Sequence, residues 1–85
     1  MQAGLLNTHG MALWKLGENA RAEEELKKAI AAERGFDRPY LNLSRLLVEE
    51  GRAGEAIAVL GALLQIAPGH QQAAEMLQQL QSSRP

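Results

Sequence analysis

Cysteine is absent, so the chain has no disulfide and no thiolate metal site available to it. An excess of one charge is missing too: nine Lys and Arg stand against ten Asp and Glu, a formal net charge of -1. That balance supplies no general field for nucleic acid or an anionic membrane, and it confines charge-driven recognition to local patches. No apolar run approaches the length that spans a bilayer. The opening MQAGLLNTHG lacks the basic and long apolar regions of a secretory signal, which sets the expectation of a cytoplasmic protein, or a periplasmic one if the chain is a fragment. Aromatic residues are reduced to one Phe, one Trp and one Tyr. Strict alternation and β-branched clusters, the marks of strands, do not occur.

What is present is Leu and Ala recurring at spacings of three and four, the period of a helix. Eighty-five residues allow one small domain, close to the size where a single core only just offsets chain entropy. Gly17-Glu18-Asn19, Gly35, Gly51 and Pro68-Gly69 cut the helical pattern. Five helices are predicted, over about 3 to 16, 20 to 34, 38 to 50, 53 to 67 and 71 to 82. Asn19 and Asp37 are the predicted N-caps, and Pro39 is tolerated in a first turn. The short connections force successive helices to run nearly antiparallel.

Two stretches, KLGENARAEEEL from Lys15 and EEGRAGEAIAVL from Glu49, superpose at an offset of 34 residues. The offset holds elsewhere. Leu6 falls on Tyr40, Gly10 on Ser44, Leu13 on Leu47, Gly17 on Gly51, Ala22 on Ala56, Leu26 on Leu60 and Ile30 on Leu64. Bulky residues meet bulky ones and small meet small. Gly10 with Ala22, and Ser44 with Ala56, place small side chains where two helices of one unit approach most closely. Gly17 and Gly51 permit the positive φ of a tight interhelical turn.

This 34-residue helix-turn-helix unit resembles the tetratricopeptide repeat. The family's pattern of large, large-small and large residues is met by Leu6, His9, Gly10 and Leu13, and again by Tyr40, Leu43, Ser44 and Leu47. Its later Ala, large residue and Pro are met by Ala56, Leu60 and Pro68, while Arg34 stands where the first unit would carry Pro. His9 and Leu63 depart from the expected classes. The resemblance implies an all-α fold: one domain with repeats over 3–36 and 37–70 and a capping helix over 71–83, five helices in all.

A helical wheel for 38 to 50 puts Pro39, Tyr40, Leu43, Ser44, Leu46 and Leu47 on one side. Arg38, Leu41, Asn42, Arg45, Val48 and Glu49 form the other. The equivalents 34 residues earlier are Gly4, Asn7, Thr8, Met11, Trp14 and Lys15, and 34 later they are Gln72, Glu75, Met76, Gln79, Ser82 and Ser83. Stacked repeats set these stripes side by side, and the resemblance implies a concave groove that receives peptides. The candidate binding residues are therefore Asn7, Met11, Trp14, Lys15, Arg38, Leu41, Asn42, Arg45, Val48, Glu49, Glu75 and Gln79. The cations suit carboxylates, Asn7 and Asn42 a peptide backbone, and Trp14, Met11, Leu41 and Val48 apolar side chains. Trp14 lies off the Leu6, Gly10 and Leu13 face, which predicts a partly open indole. Some family members clamp a C-terminal carboxylate with Lys, Asn and Arg across three repeats. Asn42 matches one such Asn, but Asn7, Met11, Gln72 and Met76 replace the others, so that clamp is not expected.

Glu23 with Lys27, and Glu24 with Lys28, have the order of stabilising i to i+4 pairs and read as a solvated face. His9 and His70 have no adjacent acid or histidine in the sequence; His9 is read as filling a half-buried gap and His70 as opening the last helix. No phosphate loop, no nucleophile with a base nearby in sequence and no mechanistic carboxylate pair is found. The expectation is a non-catalytic protein- or peptide-binding scaffold with no metal, no cofactor, and neither nucleic acid nor membrane among its partners. An acidic segment is the ligand that the groove's cations suit. The alternatives are self-association with a second copy, through Ala3, Leu5, Leu6 and Leu13 or through Ala73, Ala74, Leu77 and Leu80, and a targeting or regulatory segment of a larger enzyme.

Overall fold

In the computed structural model, which describes residues 2–82, five α-helices follow one another: α1 (Gln2–Lys15), α2 (Asn19–Ala32), α3 (Asp37–Glu49), α4 (Ala53–Ile66) and α5 (Gln71–Ser82). No strand occurs among the described residues. Ser83, expected in the closing helix and on the groove stripe, lies outside them. The helices are rich in Ala, Leu, Gln, Glu and Lys, all good helix formers, yet at 12 to 14 residues each is too short to persist alone. Packing holds them.

The repeat is written into the backbone. After α1, Gly17 N–H donates to Trp14 O (2.9 Å) and Glu18 N–H to Leu13 O (2.9 Å). After α3, Gly51 N–H donates to Val48 O (3.0 Å) and Arg52 N–H to Leu47 O (2.8 Å), the same pair of bonds 34 residues on. This double bond pattern closes a helix through a residue of positive φ, and Gly17 and Gly51 supply φ of 83° and 78°. A methyl group at Gly51 would touch nothing within 4 Å, so the penalty of Gly51→Ala is conformational alone. It is expected to lower stability by about 1 kcal/mol, read from urea denaturation; an unchanged midpoint would mean the turn relaxes to negative φ.

The α2–α3 and α4–α5 connections repeat as well. Glu33 N–H donates to Ala29 O and Phe36 N–H to Glu33 O, while Ala67 N–H donates to Leu63 O and His70 N–H to Ala67 O. Gly35, expected to end α2, is not at positive φ; the helix ends before it, at Ala32. The predicted N-caps are one residue out. Asn19 and Asp37 are already helical, and the cap positions belong to Glu18 and Phe36, neither of which caps through its side chain. Asp37, as the first helical residue, cannot cap, and its carboxylate is instead taken by His70 across the repeat.

α1 packs on α2 and α3 on α4, with α3 also against α2 and α5 against α4. Gly10 lets α1 approach α2: a Cβ there would lie 3.0 Å from Leu26 Cγ and 3.1 Å from its Cδ2. Ser44, the equivalent of Gly10, is fully buried and donates its hydroxyl to Tyr40 O at 2.8 Å, so its polar group is satisfied inside its own helix. Leu13, Ala22, Leu26, Leu43, Leu46, Leu47 and Ala56 form one core, and Tyr40, Leu41, Leu60, Leu63 and Ala73 continue it toward α5. The Tyr40 hydroxyl ties the α2–α3 connection by donating to Arg34 O at 2.9 Å.

One of the two expected i to i+4 surface pairs forms and the other does not. Lys27 meets Glu23 at 2.9 Å, but Lys28 meets Glu25 rather than Glu24, at 3.4 Å. Glu25 is claimed also by His9, whose Nδ1 lies 2.6 Å from it. His9 is therefore not filling a gap; it stands on the exposed side of α1, where its hydrogen bond to Glu25, with Lys28 nearby, holds that carboxyl below its usual range. At the two ends, Ala3, Leu13 and Ala73 are core residues, which leaves Leu5 as the one fully exposed large apolar side chain of the two sets expected to associate. No helix among the described residues is long and apolar enough to cross a membrane.

Candidate functional site: the face of α1, α3 and α5

The amphipathicity of α3 is what makes the site. Its Leu43, Leu46 and Leu47 enter the core, and the residues one step round the helix are left on the face shared with α1 and α5. Two clefts open on that face. The larger, of about 550 Å³, is lined by Asn7, Thr8 and Met11 of α1, by Asp37, Arg38, Leu41, Asn42 and Arg45 of α3, and by Gln72 of α5. The second, of about 340 Å³, lies between Arg45, Val48 and Glu49 of α3 and Met76, Gln79 and Leu80 of α5. Arg45 borders both.

Of the residues singled out in the sequence, Asn7, Met11, Arg38, Leu41, Asn42 and Arg45 meet in the larger cleft and Val48, Glu49 and Gln79 in the smaller. Leu41 reaches the cleft only by its edge, since it is 7% exposed and belongs to the core around Leu60 and Leu63. Trp14 and Lys15 line neither cleft. Trp14 is half-buried, leans on the core beside Leu13, and donates its indole N–H to Glu49 Oε1 at 3.0 Å. Lys15 is exposed at the end of α1. Glu75 turns to a shallow hollow of about 290 Å³ with Gln78, Gln79 and Ser82, and accepts from Gln71 Nε2 at 3.3 Å.

Asp37 and Leu80 are the lining residues that the wheel missed. In the sequence Asp37 reads as a cap, although the spacing Asp37, Leu41, Arg45 marks one helical face. Its Oδ2 lies 2.8 Å from His70 Nε2, and His70 Nδ1 accepts the Ala73 N–H at 3.2 Å, so the ring carries its hydrogen on Nε2. His70 thereby ties the start of α5 to the start of α3. Among the described residues, no group of three His, Cys, Asp or Glu side chains is placed to hold a metal ion.

The cleft electrostatics follow from who is already paired. Asp37 is engaged by His70 and Glu49 by Trp14. Arg38 and Arg45, both exposed, have no hydrogen-bond or ion-pair partner among the described residues. The side chains of Asn7 and Asn42 bond to each other across the floor, Asn42 Nδ2 donating to Asn7 Oδ1 at 3.0 Å.

Against known proteins, no curated protein is similar enough to count as a match. The tetratricopeptide repeat matches residues 13–80, a span of two 34-residue periods that takes in both glycine-closed turns and the α3 and α5 residues of the face just described, while Asn7, Thr8 and Met11 of α1 precede it. With the register of side-chain sizes, the duplicated turn bonds and the helix pairs all obeying that period, the chain belongs to the tetratricopeptide repeat family.

Proposed function

We propose that the α1, α3 and α5 face is a binding groove for an acidic segment of another protein, and that the chain acts through it as a non-catalytic scaffold. Repeats of this family generally serve protein–protein interaction. The observation that carries the proposal is the pair of unpartnered guanidiniums, Arg38 and Arg45, on one cleft whose bordering carboxylate, Asp37, is already engaged by His70, while Glu49 of the adjoining cleft is engaged by Trp14. A ligand carboxylate meets two forked donors there and displaces no internal ion pair. The adjoining cleft, with Val48, Met76 and Leu80, takes an apolar side chain next to the charge. A groove built on helices is preformed, so little ordering is lost on the receptor side, while two repeats offer few contacts and weak affinity follows.

Selection from a display library of random peptides should enrich Asp and Glu. Arg45→Glu should weaken the selected peptides by about tenfold or more, because a favourable charge contact becomes a repulsive one, with the helical circular dichroism unchanged. Selection without acidic preference, or affinity that survives Arg45→Glu, would move the binding surface elsewhere.

A further inference from the structure

α2 and α4 are the equivalent second helices of the two repeats, and their surfaces differ in kind. α2 reads NARAEEELKKAIAA and turns Arg21, Glu24, Lys27 and Lys28 to solvent. α4 reads AGEAIAVLGALLQI, in which Glu55 is the only ionisable side chain. Ala56, Leu60 and Leu63 of α4 are buried, yet Gly54, Ala58, Ala62 and Ile66 are exposed, Ile66 by 48%. A helix that is apolar all round belongs in an interior, and α4 has one side still open.

That side is not flat. Hollows of about 290 and 340 Å³ run between α2 and α4 above Tyr40 of α3; they share Lys27, Ile30, Tyr40 and Ala62 and so form one groove. No acid lines it. Lys27 at its rim is paired with Glu23, whereas the exposed Arg34 side chain has no hydrogen-bond or ion-pair partner among the described residues. The occupant that fits is an apolar helix, with small side chains where it crosses Ala62 and one carboxylate to meet Arg34.

α4 itself has that composition. Laid antiparallel into the groove of a second copy with nearly its whole length overlapped, Ala58 of each chain falls opposite Ala62 of the other. Three residues further out, Glu55 then falls opposite Gln65, which lines the same hollow as Arg34. A two-fold axis makes that charge contact twice. Glu55 is available for it even while Arg52 holds it, since its side chain is 58% exposed and a carboxylate has lone pairs for two guanidiniums. Parallel pairing would instead set Glu55 against Glu55 and leave both arginines unmet.

We infer that the chain forms a two-fold dimer in which α4 of each copy lies in the α2–α4 groove of the other, with Glu55 of each meeting Arg34 of the other. The dimer uses none of the residues that line the two clefts between α1, α3 and α5, so it stands or falls apart from the binding groove proposed above.

Sedimentation velocity of the full chain from about 10 µM to about 1 mM should show a reversible shift from monomer to dimer. Ala62→Glu, at a position exposed in the single chain, should keep the helical circular dichroism and weaken the dimer by about tenfold or more, because it buries a charge in the apolar contact. Charge reversal reads the direction of the helices. Arg34→Glu and Glu55→Arg should each weaken self-association by about tenfold or more. An equimolar mixture of the two variants should return to within about threefold of the natural affinity, because both contacts of the mixed dimer again join unlike charges. Arg52 keeps Glu23 and Glu50 in Glu55→Arg, so that variant retains its turn. Arg45→Glu should leave the dimer unchanged. A chain that stays monomeric, a dimer indifferent to Ala62→Glu, or one broken by Arg45→Glu overturns the α4 interface. A mixture that associates no better than its two components overturns the antiparallel pairing, and the inference with it.

Discussion

Leu26→Ala is expected to lower the stability of the chain by about 3 to 4 kcal/mol, the largest effect of any single change considered for this fold. Leu26 is completely buried, and it is the side chain that fills the space over Gly10, where α1 and α2 come closest. Two terms add. The removed methyl and methylene groups lose their transfer free energy, and the space they leave has no neighbour able to swing in, because Gly10 has no side chain and Ala22 beside it has one carbon. A domain of this size has a stability of roughly 4 to 13 kcal/mol, so the loss is a large fraction of the total. At about 4 to 8 °C per kcal/mol the melting temperature should fall by roughly 12 to 30 °C, measured by circular dichroism at a helical wavelength. A fall of only a few degrees would show that α1 and α2 close over the gap, and that the glycine is not there to receive this leucine.

The second large effect is electrostatic. Arg52, in the turn between α3 and α4, sends Nη1 and Nη2 to the two carboxylate oxygens of Glu23 on α2, at 2.7 and 3.0 Å, and meets Glu55 at 2.7 and 2.8 Å and Glu50 at 2.9 Å. The bidentate bond from Arg52, helped by Lys27 and opposed by burial, holds the Glu23 carboxyl at about 2, below its ordinary 4.5. Glu55 is held low by Arg52 as well, in part against the repulsion of Glu23. A carboxyl whose folded value is depressed stabilises the fold above its unfolded value and ceases to do so as pH falls. For Glu23 the contribution is therefore fully present above about pH 5 and lost between 4.5 and about 2. A linkage of 1.36 kcal/mol per unit, reduced because the Arg52 side chain is 33% exposed to solvent, makes that contribution about 2 kcal/mol. Urea denaturation of the natural chain and of Glu23→Gln should differ by about this amount at pH 7 and converge toward pH 2. A gap independent of pH would remove the charge from the explanation and leave packing.

Both effects depend on contacts that the sequence shows unequally. The 34-residue register, the glycine turns at Gly17 and Gly51 and the five helices are legible because each depends on local chemistry: side-chain bulk at helical spacing, and a positive φ that only glycine adopts easily. The two faces of α3 are legible for the same reason. The contacts across repeats are not legible in local chemistry, although they follow a simple rule. Asn7 with Asn42 and Trp14 with Glu49 are each 35 residues apart, and Asp37 with His70 33 apart, so partners lie one residue either side of the repeat period. Equivalent positions stack side by side, so polar pairs at the period plus or minus one include all three. Arg52 with Glu23, at a separation of 29, obeys no such rule.

The order and length of the helices, their pairing into hairpins and the side of α3 that faces inward were determined by the sequence alone, because propensity, turn chemistry and the periodicity of apolar residues act over a few positions. Which polar groups remain free was decided only by the tertiary structure. Glu49, Arg38 and Arg45 look alike as exposed charges on a wheel and Asp37 reads as a cap, and it is the approach of α1 and α5 to α3 that engages the two acids and leaves the two guanidiniums open. A hydrogen bond needs its partner within about 3 Å, and that distance is set by how helices far apart in the chain come to rest against one another.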